Sequence, residues 1–325
     1  MKKQVTGISV GVIGLGIMGS AMAANLQDSG FAVTGIDINP AARKKLMPKL
    51  SKVGAAPGML VGTTNHIICS LPSVAALMAV CEELASHAVK QGLPKDSLVV
   101  AETSTLPIED KLAARKVLAK AGIKMIDAPL SGTGAQAKVR DLTVYASGEA
   151  APIRHMTEVF KGFSRSQFTV GEFGNGMKMK LVANLLVAIH NVSTAEALLF
   201  GKSMGLDPKM IVDVVADGAG GSRMFQVRGP MMVTRTWDEA TMKINVWQKD
   251  MAIIYEALRA LSVPAPLFTA CIPVYLAAMA QGHAMDDTAA VYAGLEKFAG
   301  ESCCQRPQRK KNGRCATRWA RFPPA

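Results

Sequence analysis

Residues 8–37 impose the tightest constraint on the chain. "ISVGVIG" (8–14) is an apolar run of strand character, and "GLGIMG" (14–19) follows it with the form G-x-G-x-x-G. "SAMAANLQDSG" (20–30) then has helical composition closed by Gly30, "AVTGID" (32–37) is a second strand, and Asp37 ends it. Glycines at this spacing, between a strand and a helix and with an acidic residue closing the next strand, form the dinucleotide-binding fingerprint. Gly14 permits the tight turn, Gly16 lets the backbone approach a pyrophosphate, and Gly19 allows close helix–strand contact. The helix N-terminus favours the anion. The candidate cofactor contacts here are Gly14, Leu15, Gly16, Ile17, Met18, Gly19 and Asp37. A carboxylate at 37 accepts hydrogen bonds from a ribose 2′-hydroxyl and repels a 2′-phosphate, and the first arginine after it is delayed to Arg43. The expected cofactor is therefore NAD rather than NADP.

The rest of the first half continues the alternation of a parallel α/β sheet. "NPAARKKL" (39–46) opens a helix with proline near its start. Strands are expected at "HIICSLP" (66–72), "SLVVAET" (97–103) and "IKMIDAP" (123–129), with later strands at "DLTVYASG" (141–148) and "SQFTVG" (166–171). After Gly174 strand signals stop. Helices are expected over 177–205, 207–218 (Asp207 as cap, Pro208 in the first turn), 249–262, 265–282 interrupted by Pro273, and 286–300. The expected plan is an α/β Rossmann domain over 1–173, an all-α domain over 174–300, and a basic tail over 301–325.

The net charge of +12 invites a nucleic-acid reading, but half of it lies in the last 25 residues, where seven Lys/Arg face one Glu. That tail matches nothing upstream, shows no hydrophobic period, and is expected to be disordered or adventitious. It holds Cys303, Cys304 and Cys315; the remaining cysteines, Cys69, Cys81 and Cys271, are far apart and lack metal-ligand spacing. Buried free thiols in a reducing cytosol are expected, with no metal site. The N-terminus "MKKQVTG" lacks the apolar core and cleavage site of a signal peptide. The most apolar stretch, near 181–200, contains Asn184, His190, Asn191 and Glu196 and suits a buried helix better than a membrane span. A cytoplasmic protein is expected. His66, His87, His155, His190 and His283 are scattered and form no catalytic or metal cluster.

"GNGMKMKLVANLL" (174–186) places Lys180 and Asn184 one helical turn apart in an otherwise apolar run. Either Lys180 snorkels to solvent or the pair lines a cleft.

These blocks together resemble the β-hydroxyacid dehydrogenase family, which includes 3-hydroxyisobutyrate dehydrogenase and tartronate semialdehyde reductase. "GLGIMGSAMAANL" (14–26) resembles its N-terminal signature, and "DAPLSGTGAQA" (127–137) its substrate-binding stretch. "GNGMKMKLVANLL" (174–186) resembles its G-x-G-x-x-x-K-x-x-x-N block, and "KDMAIIYEA" (249–257) its late K-D block. The resemblance implies that Lys180 is the catalytic lysine and Asn184 the amide that helps hold substrate. Ser131, Gly132 and Thr133 would bind a substrate carboxylate through backbone N–H groups. Leu71, Pro72, Thr105 and Lys249 would lie near the cofactor. Ser104 reads equally well as a helix cap.

The implied reaction is reversible hydride transfer between nicotinamide and a small 3-hydroxy acid, such as 3-hydroxyisobutyrate, glycerate or threonate. A partly buried lysine, its pKa lowered by burial and by neighbouring charge from Lys178 or Lys249, would serve as general acid/base. The implied assembly is a homodimer or homotetramer. The family's substrate stretch commonly reads S-G-G-x-x-G-A-x-x-G; here Thr133, Gln136 and Arg140 replace its second, third and fourth glycines. A hydroxyl and an amide there would suit a more hydroxylated acid. "GGSRMFQVR" (220–228) resembles a stretch of members acting on sugar acids such as threonate. The alternatives are an imine reductase-like enzyme on the same fold, against which Lys180 argues, and a non-catalytic dehydrogenase-fold protein binding nucleic acid.

Overall fold

The computed structural model describes residues 7–300; the expectation for 301–325 lies outside them. The chain divides into two compact units, the first ending at Ala183.

The first unit alternates strands and helices. In order these are β1 Ser9–Ile13, α1 Ile17–Asp28, β2 Ala32–Ile36, α2 Pro40–Leu46, β3 Lys52–Gly54, β4 His66–Cys69, α3 Val74–Gln91, β5 Val99–Glu102, α4 Ile108–Lys120 and β6 Lys124–Asp127. The six strands form one parallel sheet in the order β3-β2-β1-β4-β5-β6. The order reverses between β1 and β4, the switch point where a crevice opens at the strands' C-terminal ends. The strands are apolar on both sides because helices cover both faces. Val10, Val12, Val33 and Ile126 pack on Met22, Leu26, Phe160 and Phe163. Ile13, Ile67, Cys69 and Val100 pack on Leu77, Leu84 and Leu118.

The chain then forms β7 Leu130–Ser131, α5 Gly134–Lys138, β8 Thr143–Ala146, α6 Ala150–Phe163 and β9 Ser166–Thr169. The strands expected at 141–148 and 166–171 thus belong to a separate three-stranded sheet, β7-β8-β9, with β7 antiparallel and β9 parallel to β8. A bridge between Asp127 and Ser147 ties it to the end of β6. The three-residue β3 and two-residue β7 carry too little pattern to read from sequence.

At the start of β4, the His66 ring stacks on His155 of α6, with centroids 4.2 Å apart and 6° between planes. Burial first, then the neighbouring His155, holds the His66 pKa below its ordinary value. A base depressed in the folded state contributes stability that is complete above its ordinary value. That stability is lost as pH falls from there through the lower folded value. His66→Phe should therefore flatten the acid side of a urea-midpoint curve taken from about pH 7 to about pH 5. A slope as steep as that of the parent chain would show that His66 carries none of the loss.

α7, Asn175–Ser203, spans the division between the units. The sequence places the domain change at 173/174; the compact unit extends ten residues further because the first turn of α7 is bonded to the end of β6. α7 is long and apolar enough to cross a membrane, but a buried stripe runs along it: Met177, Lys180, Asn184, Ala188, Asn191, Ala195 and Leu198, every three or four residues, are buried. That is the stripe of a helix packed within a protein.

The second unit continues with α8 Pro208–Val215, α9 Arg223–Thr234, α10 Ile244–Ala260, α11 Pro266–Ala280 and α12 Val291–Phe298. The sequence pattern does not announce α9, since Pro230 sits inside it. Pro273, expected to interrupt its helix, stands within a continuous α11, where Phe268, Cys271, Tyr275 and Ala278 are buried on both sides of it. Their burial outweighs the one lost backbone bond.

Candidate functional site

The loop from β1 to α1 explains its glycines differently at each position. Gly14 has φ +89°, and a Cβ there would lie 2.1 Å from the Ser70 carbonyl oxygen. A Cβ on Gly19 would lie 1.8 Å from the Gly14 carbonyl oxygen. Both are internal requirements of the fold. A Cβ on Gly16 would meet no protein atom within 4 Å. Gly16 is the N-cap of α1, and no side-chain cap and no first-turn acid compete for the helix N-terminus. The open side at Gly16 and the uncapped N-terminus fit a pyrophosphate held by Gly16, Ile17, Met18 and Gly19. Gly14→Ala should accordingly lower thermal stability sharply. Gly16→Ala should leave the melting temperature nearly unchanged and weaken cofactor binding about tenfold or more, the worth of one good charge-assisted contact. Calorimetric titration beside thermal unfolding separates the two; equal cofactor affinity in Gly16→Ala would contradict the assignment.

Asp37 follows β2. Its Oδ2 accepts the Leu15 N–H at 2.7 Å and its Oδ1 accepts the Asn39 N–H at 2.7 Å. Each carboxylate oxygen retains a second lone pair, so a ribose hydroxyl still fits. The delay of arginine to Arg43 proves to be a delay in sequence only. The turn into α2 brings the Arg43 guanidinium back to donate to the Asp37 and Ile38 carbonyl oxygens at 2.7 and 2.9 Å.

Leu71 and Pro72 lie in the loop after β4, and Thr105 in the loop after β5. Ser104 joins these loops: its Oγ accepts the Leu71 N–H at 2.7 Å, and its own N–H donates to Glu102 Oε1 at 2.9 Å. Ser104 is thus a loop clasp; the N-cap of α4 is Pro107.

The substrate stretch requires a correction. Ser131 ends β7 and Gly132 has φ +134°, a conformation suited to glycine. Thr133, however, is the N-cap of α5 in a complete capping box. Its N–H donates to Gln136 Oε1 at 3.0 Å and its Oγ1 accepts the Gln136 N–H at 3.5 Å. The Thr133 N–H is therefore committed within the box. Gln136 spends its amide on Asp141 at 3.0 Å, and Arg140 donates to the Asn25 carbonyl oxygen at 3.2 Å. Of the expected carboxylate-binding residues, Ser131 is paired with Thr143 in the β7–β8 ladder, Thr133 closes the capping box, and Gly132 lies between them.

Lys180 is only 9% exposed and Asn184 3%. Both lie on the buried stripe of α7, one turn apart. Asn184 Nδ2 donates to Asp250 Oδ2 at 2.9 Å within the second unit, which leaves the amide oxygen as its acceptor. Lys249 precedes Asp250 in α10, is 39% exposed, and lies 3.9 Å from the Asp250 carboxylate. Lys178 is exposed and donates to Asn175 Oδ1 at 3.1 Å. It lies off the buried stripe.

Sequence reasoning missed Asp250, although it stood in the quoted K-D block. It also missed three fully buried ionisable residues, Glu102, Lys111 and Asp127. Lys111 Nζ lies 2.7 Å from both Glu102 Oε2 and Asp127 Oδ1. Nothing in the pattern of α4 marks Lys111, which sits among surface charges in sequence. The stretch 220–228 also reads differently in the fold: Ser222 caps α9, and Arg228 is buried and paired with Asp287 at 3.1 Å. Its cation supports the core of the second unit.

Residues 9–171 match the family model described as the NAD binding domain of 6-phosphogluconate dehydrogenase. Residues 174–295 match that described as NAD-binding of NADP-dependent 3-hydroxyisobutyrate dehydrogenase. The chain is 28% identical to L-threonate dehydrogenase of Cupriavidus necator over 292 residues, 89% of this chain and 97% of the relative. It is 29% identical to 2-hydroxy-3-oxopropionate reductase of Escherichia coli over 293 residues, 90% of this chain and 98% of the relative. Among solved structures it resembles 3-hydroxyisobutyrate dehydrogenase from Salmonella typhimurium, with TM-score 0.78 and 25% identity, covering 88% of this chain and 99% of that one.

Proposed function

The chain belongs to the β-hydroxyacid dehydrogenase family of NAD-binding oxidoreductases, and on that premise we propose that it transfers a hydride reversibly between NAD and a small 3-hydroxy acid. The observation that carries this reading is the burial of Lys180 on one helical stripe with Asn184. A lysine largely buried on an apolar helix is suited to give and take one proton at a bound hydroxyl or carbonyl. Asn184, oriented by Asp250, is suited to hold the substrate hydroxyl or carboxylate through an uncharged group. The backbone at Gly132 is suited to a carboxylate.

The cofactor, when bound, supplies the hydride chemistry. Gly16 through Gly19 would hold its pyrophosphate, with Leu71 and Pro72 in a loop that contacts the cofactor and Thr105 near the nicotinamide. Asp37 favours NAD over NADP by repelling a 2′-phosphate. Lys249 is retained as a cofactor-side cation. A threonate-like or glycerate-like acid is the favoured substrate class, because the relatives include an L-threonate dehydrogenase and a 2-hydroxy-3-oxopropionate reductase. We place the enzyme in the cytoplasm as a homo-oligomer; exposed Phe200, Met210 and Val214 on the second unit suit burial by a second copy.

The test is absorbance at the NADH band with NAD or NADP and a panel of 3-hydroxyisobutyrate, 3-hydroxypropionate, glycerate, serine and L-threonate. Turnover of one acid, faster with NAD, is expected. Cofactor binding without turnover of any acid would contradict the substrate class.

A further inference from the structure

The ion triad of Glu102, Lys111 and Asp127 is an anomaly for a fold that needs only a core. All three side chains are fully buried. Desolvating three charges costs as much as their attraction returns, and apolar residues of similar size would hold the same space as well. What distinguishes the triad is where its remaining hydrogen bonds go.

On one side, Glu102 Oε1 accepts the Ser104 N–H, and Ser104 Oγ accepts the Leu71 N–H. Those are the loops after β5 and β4. On the other side, Asp127 Oδ2 accepts the Met177 N–H at 2.8 Å and the Ser147 hydroxyl at 3.1 Å, while Ser147 Oγ accepts the Gly176 N–H at 2.9 Å. Two otherwise unsatisfied amides in the first turn of α7 are thus satisfied, one from the end of β6 and one from the residue after β8, and the carboxylate lies at the positive helix end. The seat is tight. A Cβ on Gly176 would lie 2.3 Å from the Tyr145 carbonyl oxygen and 3.0 Å from Asp127 Oδ2. Lys180 follows Met177 by three residues, about 4.5 Å along the axis.

We propose that Glu102, Lys111 and Asp127 are positioning residues. Together with Ser104 and Ser147 they form one polar chain that fixes the first turn of α7, and so Lys180, against the loops after β4 and β5. This rests on the reading of Lys180 as the proton-transfer group. The chain never touches the reacting atoms; it sets where Lys180 stands relative to the nicotinamide side of the unit. A displacement near 1 Å in such a placement lowers rate about 100-fold.

The experiment compares the full-length parent protein with Asp127→Asn, Ser147→Ala and Lys180→Ala. It uses NAD and the panel acid turned over fastest, with and without deuterium on the hydroxyl-bearing carbon. Assays run well below each melting temperature, and NADH affinity is measured by fluorescence. In Asp127→Asn, kcat per folded molecule should fall about 100-fold, the deuterium isotope effect on kcat should rise, and NADH affinity should stay within about threefold of the parent, as expected when placement and not binding is lost. Parent-like kcat in folded Asp127→Asn, or a loss of NADH affinity matching the loss of rate, would overturn the proposal. If Asp127→Asn does not fold, Ser147→Ala decides: about a tenfold fall in kcat at constant NADH affinity supports the proposal, and no fall overturns it. Failure of the underlying reading shows separately, as parent-like turnover in Lys180→Ala.

Discussion

Lys180→Ala will lower kcat by about 10²- to 10⁴-fold while leaving NADH affinity within a factor of about two, because it removes a proton carrier and no cofactor contact. Lys180→Arg will be nearly as inactive. A guanidinium keeps the positive charge but does not release its proton in the working range, so charge alone is no substitute. The geometry argues for this outcome over the bland one. Lys180 is nine-tenths buried, and it shares its stripe with Asn184, whose amide is held by Asp250. Steady-state kinetics on a single acid, beside fluorescence titration with NADH, checks it. Retained turnover in Lys180→Ala would return the lysine to a structural role.

Lys111→Met will unfold at far lower denaturant than the parent chain. It leaves Glu102 and Asp127 fully buried with their shared cation gone. Removing one partner of such a group costs about 3–5 kcal/mol, readable as a shift in the guanidinium unfolding midpoint at constant slope. The triple replacement Glu102→Gln, Lys111→Met, Asp127→Asn should recover most of that loss, since no charge then remains unpaired.

The pH dependence follows from the lysine. Burial by itself lowers the Lys111 pKa, but the attractions of Glu102 and Asp127 together exceed it, and the pKa ends above the ordinary lysine value. A group raised in the folded state contributes stability that is complete below its ordinary value and is lost as pH climbs through the folded one. The part of the gap between parent and Lys111→Met that the lysine's charge carries should therefore persist through neutral pH and be lost in alkali. A gap below about 1 kcal/mol at neutral pH, the size of an exposed pair, would contradict the account.

The parts of this protein legible in sequence are those whose cause is local. Gly19 is needed by a backbone contact within its own turn, Gly14 turns with φ +89°, and Asp37 ends a strand whose neighbour carries the glycine loop, so the fingerprint could be read without a fold. Lys180 and Asn184 share a face by helical geometry alone. The family blocks then supplied the order of the domains. What escaped reading was set by contacts distant in sequence. Lys111 looks like one more charge on an exposed helix until β5 and β6 bring Glu102 and Asp127 beside it. Thr133 looks like a substrate donor until Gln136 closes its capping box. Arg43 looks remote from Asp37 until α2 turns it back. Pro273 looks like a helix break, and packing on both sides of it carries α11 through.

The central claim is that this chain moves a hydride between a 3-hydroxy acid and a nicotinamide, and one labelling measurement tests it most directly. The parent protein is incubated with NAD and L-threonate, or another panel acid, carrying deuterium on the hydroxyl-bearing carbon, and the recovered cofactor is weighed by mass spectrometry. The account predicts reduced cofactor carrying a single deuterium, with none appearing in Lys180→Ala on the same timescale. Cofactor that binds and is recovered oxidised and unlabelled with every acid, from protein that is folded and saturated, would contradict it.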